Sequence, residues 1–118
     1  MQISFSNKKY GNSVWLVAKI KGEIDMAVAG DFRQKLQDKM DISNCHNLLL
    51  NMRDVTFIDS SGLGVILGRY RQMAAMGGKI AISGAKENVY RLLLASGLDK
   101  IIQIDKPESL WRTGEVKK

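Results

Sequence analysis

Proline, cysteine and histidine each occur once in this 118-residue chain, at Pro107, Cys45 and His46. A lone cysteine excludes an internal disulfide, and with one neighbouring histidine it supplies half a metal site at best. Cys45 reads instead as a semi-buried thiol at the start of a strand. No apolar run approaches the roughly 18 residues that a membrane span requires. Residues Met1 to Lys9 lack the order of charged, apolar and cleavage regions found in a secretory leader. No repeat of about 20–50 residues recurs, which excludes solenoids and propellers. Hydrophobic residues make up 45% of the chain, enough for an ordered core. The expectation is one soluble, cytoplasmic domain over residues 1–118, with no metal, no cofactor and no membrane contact.

Charge is unbalanced, with a formal net charge of +6. Its distribution argues against nucleic acid. Lys8/Lys9, Lys19/Lys21, Arg69/Arg71 and Lys117/Lys118 are scattered pairs rather than a basic stripe interleaved with aromatics. An acidic protein partner suits such an excess better, through steering of association.

Hydrophobic periodicity divides the chain into alternating elements. Residues 2–7 and 13–21 alternate apolar and polar positions, and Tyr10-Gly11-Asn12 between them is a turn, so an antiparallel hairpin is expected. Gly22-Glu23-Ile24-Asp25 ends the second strand. Val28, Phe32, Leu36 and Met40 recur at intervals of four and predict a helix over 26–41. Gly30 within it costs about 1 kcal/mol relative to alanine, which signals either close approach to a neighbour or simple tolerance. The unbroken run Leu48-Leu49-Leu50 marks a central strand covered on both faces. A polar loop follows Met52, and a second helix is expected over 61–76, ending at Gly77-Gly78. Residues 79–83 form a strand. A helix over 86–96 should turn Val89, Leu92 and Leu93 inward. A short strand at 101–104 and a last helix opening at Pro107-Glu108 complete the chain. The order β-β-α-β-α-β-α-β-α describes one α/β domain. Its sheet should be mixed and largely parallel, with 4–5 strands and about four helices. In such sheets functional residues gather beyond the carboxyl ends of the strands.

One such end carries Phe57-Ile58-Asp59-Ser60-Ser61-Gly62-Leu63-Gly64. Three chemistries fit a strand–turn–helix of this composition. A dinucleotide fingerprint would use Gly62, Gly64 and Gly68, but the final spacing is one residue too long. The next strand also ends Ile82-Ser83-Gly84, without an acid for a ribose. Gly64 and Gly68 read better as a helix face packed closely against a neighbour. A hydrolase would need a base within reach of Ser60. His46 starts the central strand and Ser60 lies beyond its far end, on the order of 15–20 Å away, so catalysis is not expected. A phosphoacceptor is the third reading. A helix start offers unpaired N–H groups and the positive end of a dipole, where a phosphoryl group is tolerated. For an arbitrary Ser-Ser-Gly, a serine that only caps the helix is the ordinary alternative.

Several stretches together resemble the anti-sigma factor antagonists of the STAS domain family, and within it the sporulation branch. They are Gly22-Glu23-Ile24-Asp25, the block from Asn51 to Tyr70, Gly77-Gly78, and the segment from Ser96 to Ile102, in family order and spacing. The resemblance implies partner switching. The unphosphorylated protein would bind an anti-sigma factor that is also a serine kinase with bound nucleotide, and so free a sigma factor. That kinase would phosphorylate the serine after the motif aspartate, here Ser60, and a serine phosphatase would restore the active form. Partner binding would fall to Asp25, Asp59, Ser60, Ser61, Gly62 and Leu63. A monomer or weak dimer is implied, and no enzymatic activity. Other branches imply an alternative, a scaffold or regulatory subunit of a stress-signalling complex. Two features depart from the sporulation branch: Met26 and Ala27 stand where histidines are frequent, and the net charge is positive. Asp25 could equally serve as a helix cap, and Arg69 and Arg71 read as a solvated helix face.

Overall fold

The structure, a computed structural model, describes residues 1–107. The helix expected from Pro107-Glu108 lies outside the described residues. Strand β1 (Gln2–Tyr10) and β2 (Ser13–Ile24) are followed by helix α1 (Met26–Ser43), β3 (Asn47–Ile58), α2 (Ser60–Ala75), β4 (Lys79–Ser83) and α3 (Glu87–Ala95). A 3₁₀ turn at Leu98–Lys100 and strand β5 (Gln103–Ile104) close the series. The strands lie side by side in chain order, β1-β2-β3-β4-β5. β1 pairs antiparallel with β2, and every later pair is parallel. The expected α/β architecture with a mixed sheet is therefore observed, with three α-helices among the described residues.

Because each parallel crossover advances by one strand in the same direction, right-handed connections place α1, α2 and α3 on one face of the sheet. Burial agrees. Leu16, Ala18, Ile20, Leu48, Leu50, Ile80 and Ile82 are buried with the inner faces of the helices in one core. Their neighbours Trp15, Val17, Leu49 and Ala81, which point to the other face, are only half-buried, so the two-sided cover expected for Leu48-Leu49-Leu50 is not observed among the described residues. α1 contributes Phe32, Leu36 and Met40 to the core. Each such side chain stabilises the fold by about 1.5–3 kcal/mol relative to exposure.

Four local expectations are corrected. The polar loop after Met52 does not exist: β3 continues to Ile58, and β2 runs on to Ile24 beside it. Register shifts between Lys19 and Lys21 and between Gly22 and Glu23 break the alternation there while keeping the backbone paired. Gly64 and Gly68 do not mediate a close contact, since a Cβ on either would meet nothing within 4 Å, and Gly30 is equally open. Close approaches belong instead to Gly62, over the Ile24 and Ile58 side chains, and to Gly78, where a Cβ would run into the His46 carbonyl. In α3, Tyr90 joins Val89 and Leu93 inside, whereas Leu92 is 39% exposed. Arg69 is only partly solvated: half-buried, it donates from Nη1 to the Arg33 carbonyl at 3.5 Å. Burial first, and then the Arg33 charge, lower its pKa from the ordinary value, with Asp41 opposing. Arg71 is exposed. At the end of α2, Gly77 takes φ +74° and the Gly78 N–H donates to the Met73 carbonyl at 2.8 Å, the left-handed terminus that Gly77-Gly78 predicts.

Candidate functional site

β2 and β3 end level with each other, Ile24 opposite Ile58. The next residue in each is an aspartate, and both aspartates are extended and cap a helix. Asp25 Oδ1 accepts the Ala27 N–H at 3.1 Å at the start of α1. Asp59 Oδ1 accepts the N–H groups of Ser61 at 2.9 Å and Gly62 at 3.2 Å at the start of α2. The second oxygen reaches across: Asp59 Oδ2 accepts the Met26 N–H at 3.0 Å. The Asp59 N–H donates to the Ile24 carbonyl at 3.2 Å. One carboxylate thus satisfies three backbone donors and joins the two helix starts.

This arrangement fixes where the serines stand. The expected helix start at residue 61 moves to Ser60, and the cap is Asp59 rather than a hydroxyl. Ser60 is exposed and Ser61 half-buried. Gly62 is buried beneath them. A Cβ there would stand 2.8 Å from the Ile24 and Ile58 side chains and 2.9 Å from the Ile24 carbonyl oxygen, so only glycine lets the first turn of α2 settle on the strand ends. Leu63 is half-buried and packs against the core. The six residues singled out by sequence, Asp25, Asp59, Ser60, Ser61, Gly62 and Leu63, therefore meet at one end of the sheet.

Two exposed apolar residues adjoin them in the chain, and nothing in the sequence marks either as a surface residue. Met26 is 76% exposed and Phe57 is 42% exposed. An aspartate directly before each helix was the signal available for the double cap, since Asp ranks among the preferred N-cap residues. His46 lies before the first residue of β3, and β3 holds 12 residues rather than six. At about 3.3 Å per residue the separation from Ser60 is on the order of 35 Å, twice the expected distance. A His46–Ser60 catalytic pair is therefore excluded. The site offers a surface hydroxyl at the positive end of a helix, one carboxylate pointing into the protein, and an apolar rim. Such a surface can dock a partner and can accept a charged group.

The sequence pattern of the STAS domain family matches residues 6–109. The chain is 37% identical over 89 residues to the anti-sigma F factor antagonist of Paenibacillus polymyxa, covering 75% of this chain and 76% of that protein. It is 32% identical over 108 residues to the anti-sigma-B factor antagonist of Bacillus subtilis, covering 88% and 92% respectively. Among solved structures, the Thermotoga maritima protein TM1081 superposes with a TM-score of 0.75 at 25% identity, over 93% of this chain and 92% of that one. Bacillus SpoIIAA in its phosphorylated form gives a TM-score of 0.61 at 21% identity, over 95% and 100% of the two chains. With the family pattern running through nearly every described element and the same fold on both sides of the comparison, this chain belongs to the STAS domain family.

Proposed function

We propose that this protein is an anti-sigma factor antagonist whose docking to an anti-sigma factor is gated by phosphate on Ser60. The observation that carries the reading is the division of labour at residues 59 and 60. Asp59 provides the helix cap, so the exposed Ser60 hydroxyl has no capping duty. The relatives named above as antagonists of anti-sigma F and anti-sigma-B factors support the class of partner.

The partner in this reading is a serine kinase with bound nucleotide. In the transfer step the Ser60 oxygen takes the γ-phosphoryl group of ATP, its proton is lost, and ADP leaves. A serine phosphatase reverses the modification by hydrolysis. Phosphate adds about −1.5 to −2 charges beside the Asp59 and Asp25 carboxylates. The α2 dipole offsets only about half a unit. The domain therefore tolerates the group, while a partner surface presenting carboxylates or apolar side chains to Ser60, Met26 and Phe57 is repelled. A tenfold loss of affinity needs only about 1.4 kcal/mol.

The protein acts as a monomer or weak dimer in the cytoplasm, and without catalysis of its own. The test is incubation with the cognate anti-sigma kinase and ATP, followed by mapping of the modified residue. Association of the unmodified protein and phosphate on Ser60 are expected. Phosphate elsewhere, or no association with any cognate kinase, overturns the reading.

A further inference from the structure

The face of the sheet opposite α1–α3 carries no helix among the described residues. Three concavities of about 400, 320 and 310 Å³ lie along it. The first and second share Ser4 and Lys19, and the second and third share Tyr10, Leu49 and Ser83. They form one groove crossing the sheet from β1 to β5. Its floor is apolar, with Trp15, Val17, Leu49 and Ala81 half-buried. Trp15 is held edge-on by Tyr10, ring centroids 6.4 Å apart and planes at 86°. Lys8, Lys19 and Lys21 line the β1–β2 end. Asp54 is the acid beside them, 3.9 Å from Lys19 in an exposed pair.

We infer that this groove docks an amphipathic helix of a partner protein, apolar on one face and acidic along one flank. Parallel sheets are normally covered on both faces, and a helix is the element that covers the other face here. Five strands span about 19 Å, which about 13 helical residues cross. Charge selects the flank. Three lysines with one carboxylate nearby favour acids along the β1–β2 end. A second copy of the chain would bring a single groove-lining acid from the far end, Asp105, to answer three ammonium groups. Single-stranded nucleic acid fits less well, because the perpendicular Tyr10 and Trp15 rings cannot both present a face to stacked bases, and Asp54 and Asp105 stand at the two ends. The groove lies on the sheet face rather than at the α2 start, so the inference stands independently of Ser60.

The test uses the full chain with Trp111→Phe, which leaves Trp15 as the single tryptophan. The probe is a synthetic helical peptide of about 18 residues with leucines on one face and glutamates on a flank, compared with its lysine counterpart. Acrylamide should quench Trp15 emission in the free protein, and the glutamate peptide should shift and protect it. The lysine peptide, and a Lys8→Glu/Lys21→Glu protein of unchanged circular dichroism, should bind at least about tenfold more weakly. Both lysines are exposed, so the reversal does not strain the fold. Equal affinity for the two peptides, or no binding, overturns the inference. So does a Trp15 shielded in the free protein, which would mean that the chain covers its own groove, or one shielded by self-association that the lysine reversal leaves intact.

Discussion

The Asp59 carboxylate accepts the Met26 N–H at 3.0 Å although 33 residues separate the two. Its other oxygen caps the helix that Asp59 itself precedes. The bond ties the start of α1 to the start of α2, so Asp25, Met26 and Ser60 are presented together at one end of the sheet. Docking to a preformed surface avoids the entropy of ordering loops.

Substitutions at Asp59 should separate its two duties. Asp59→Ala removes both the α2 cap and the acceptor for Met26, and should lower stability by about 2 kcal/mol. Asp59→Asn can keep one amide oxygen on the Ser61 and Gly62 N–H groups but cannot serve Met26 with an acceptor as well. About half the loss is therefore expected. Urea titration of both variants measures this. No loss in Asp59→Asn would mean that the bridge to Met26 contributes nothing to stability, and equal losses in the two variants would mean that the α2 cap contributes nothing.

The glycines of α2 should respond with opposite signs. Gly62→Ala forces a methyl group against Ile24 and Ile58, and destabilises by about 1–3 kcal/mol. Gly64→Ala enters open space and removes a helix-weakening glycine, so it stabilises by up to about 1 kcal/mol. Thermal unfolding of the two variants decides the matter. Destabilisation by Gly64→Ala would point to a constraint that this packing does not contain.

These glycines mark where the sequence was readable and where it was not. Periodicity placed β4 at Lys79–Ser83 to the residue and put α1 within two residues of its end. It could not say which of Gly62, Gly64 and Gly68 is needed, because that depends on Ile24, a residue on another strand. Arg53-Asp54-Val55-Thr56 read as a loop because its composition is polar and its alternation broken. The pairing with β2 across the bulges supplies the hydrogen bonds that make it a strand. Leu92 and Tyr90 fit an inward helical stripe about equally well, and only the position of β3 chooses between them. The site residues were legible as a cluster through their motif, but the Asp59–Met26 bond is tertiary and leaves no local pattern.

Ser60 variants test the gate and the capping alternative together. Ser60→Ala should change stability by less than about 0.5 kcal/mol, because the cap is Asp59. It should bind the anti-sigma kinase and resist phosphorylation. Ser60→Asp should bind at least about tenfold more weakly, by placing an anion in the contact. A stability loss near 1 kcal/mol in Ser60→Ala would return the hydroxyl to a capping role. Equal kinase affinities for the two variants would remove charge from the mechanism.

Asp25 caps α1 and is also a proposed partner contact, and an isosteric change can part the two roles. The Asp25 Oδ1 bond to the Ala27 N–H needs an oxygen acceptor, which asparagine also supplies. Asp25→Asn should therefore hold α1 within a few tenths of a kcal/mol, since Asn and Asp cap about equally well. What it removes is one negative charge beside Met26 and Ser60. If that charge meets a cation on the kinase, affinity falls by about tenfold and the loss shrinks as salt is raised. Alongside it, Asp25→Ala gives the cost of the cap itself, about 1 kcal/mol of stability. Unchanged affinity in Asp25→Asn at low salt would confine Asp25 to its capping role and leave Ser60, Met26 and Phe57 as the recognition surface.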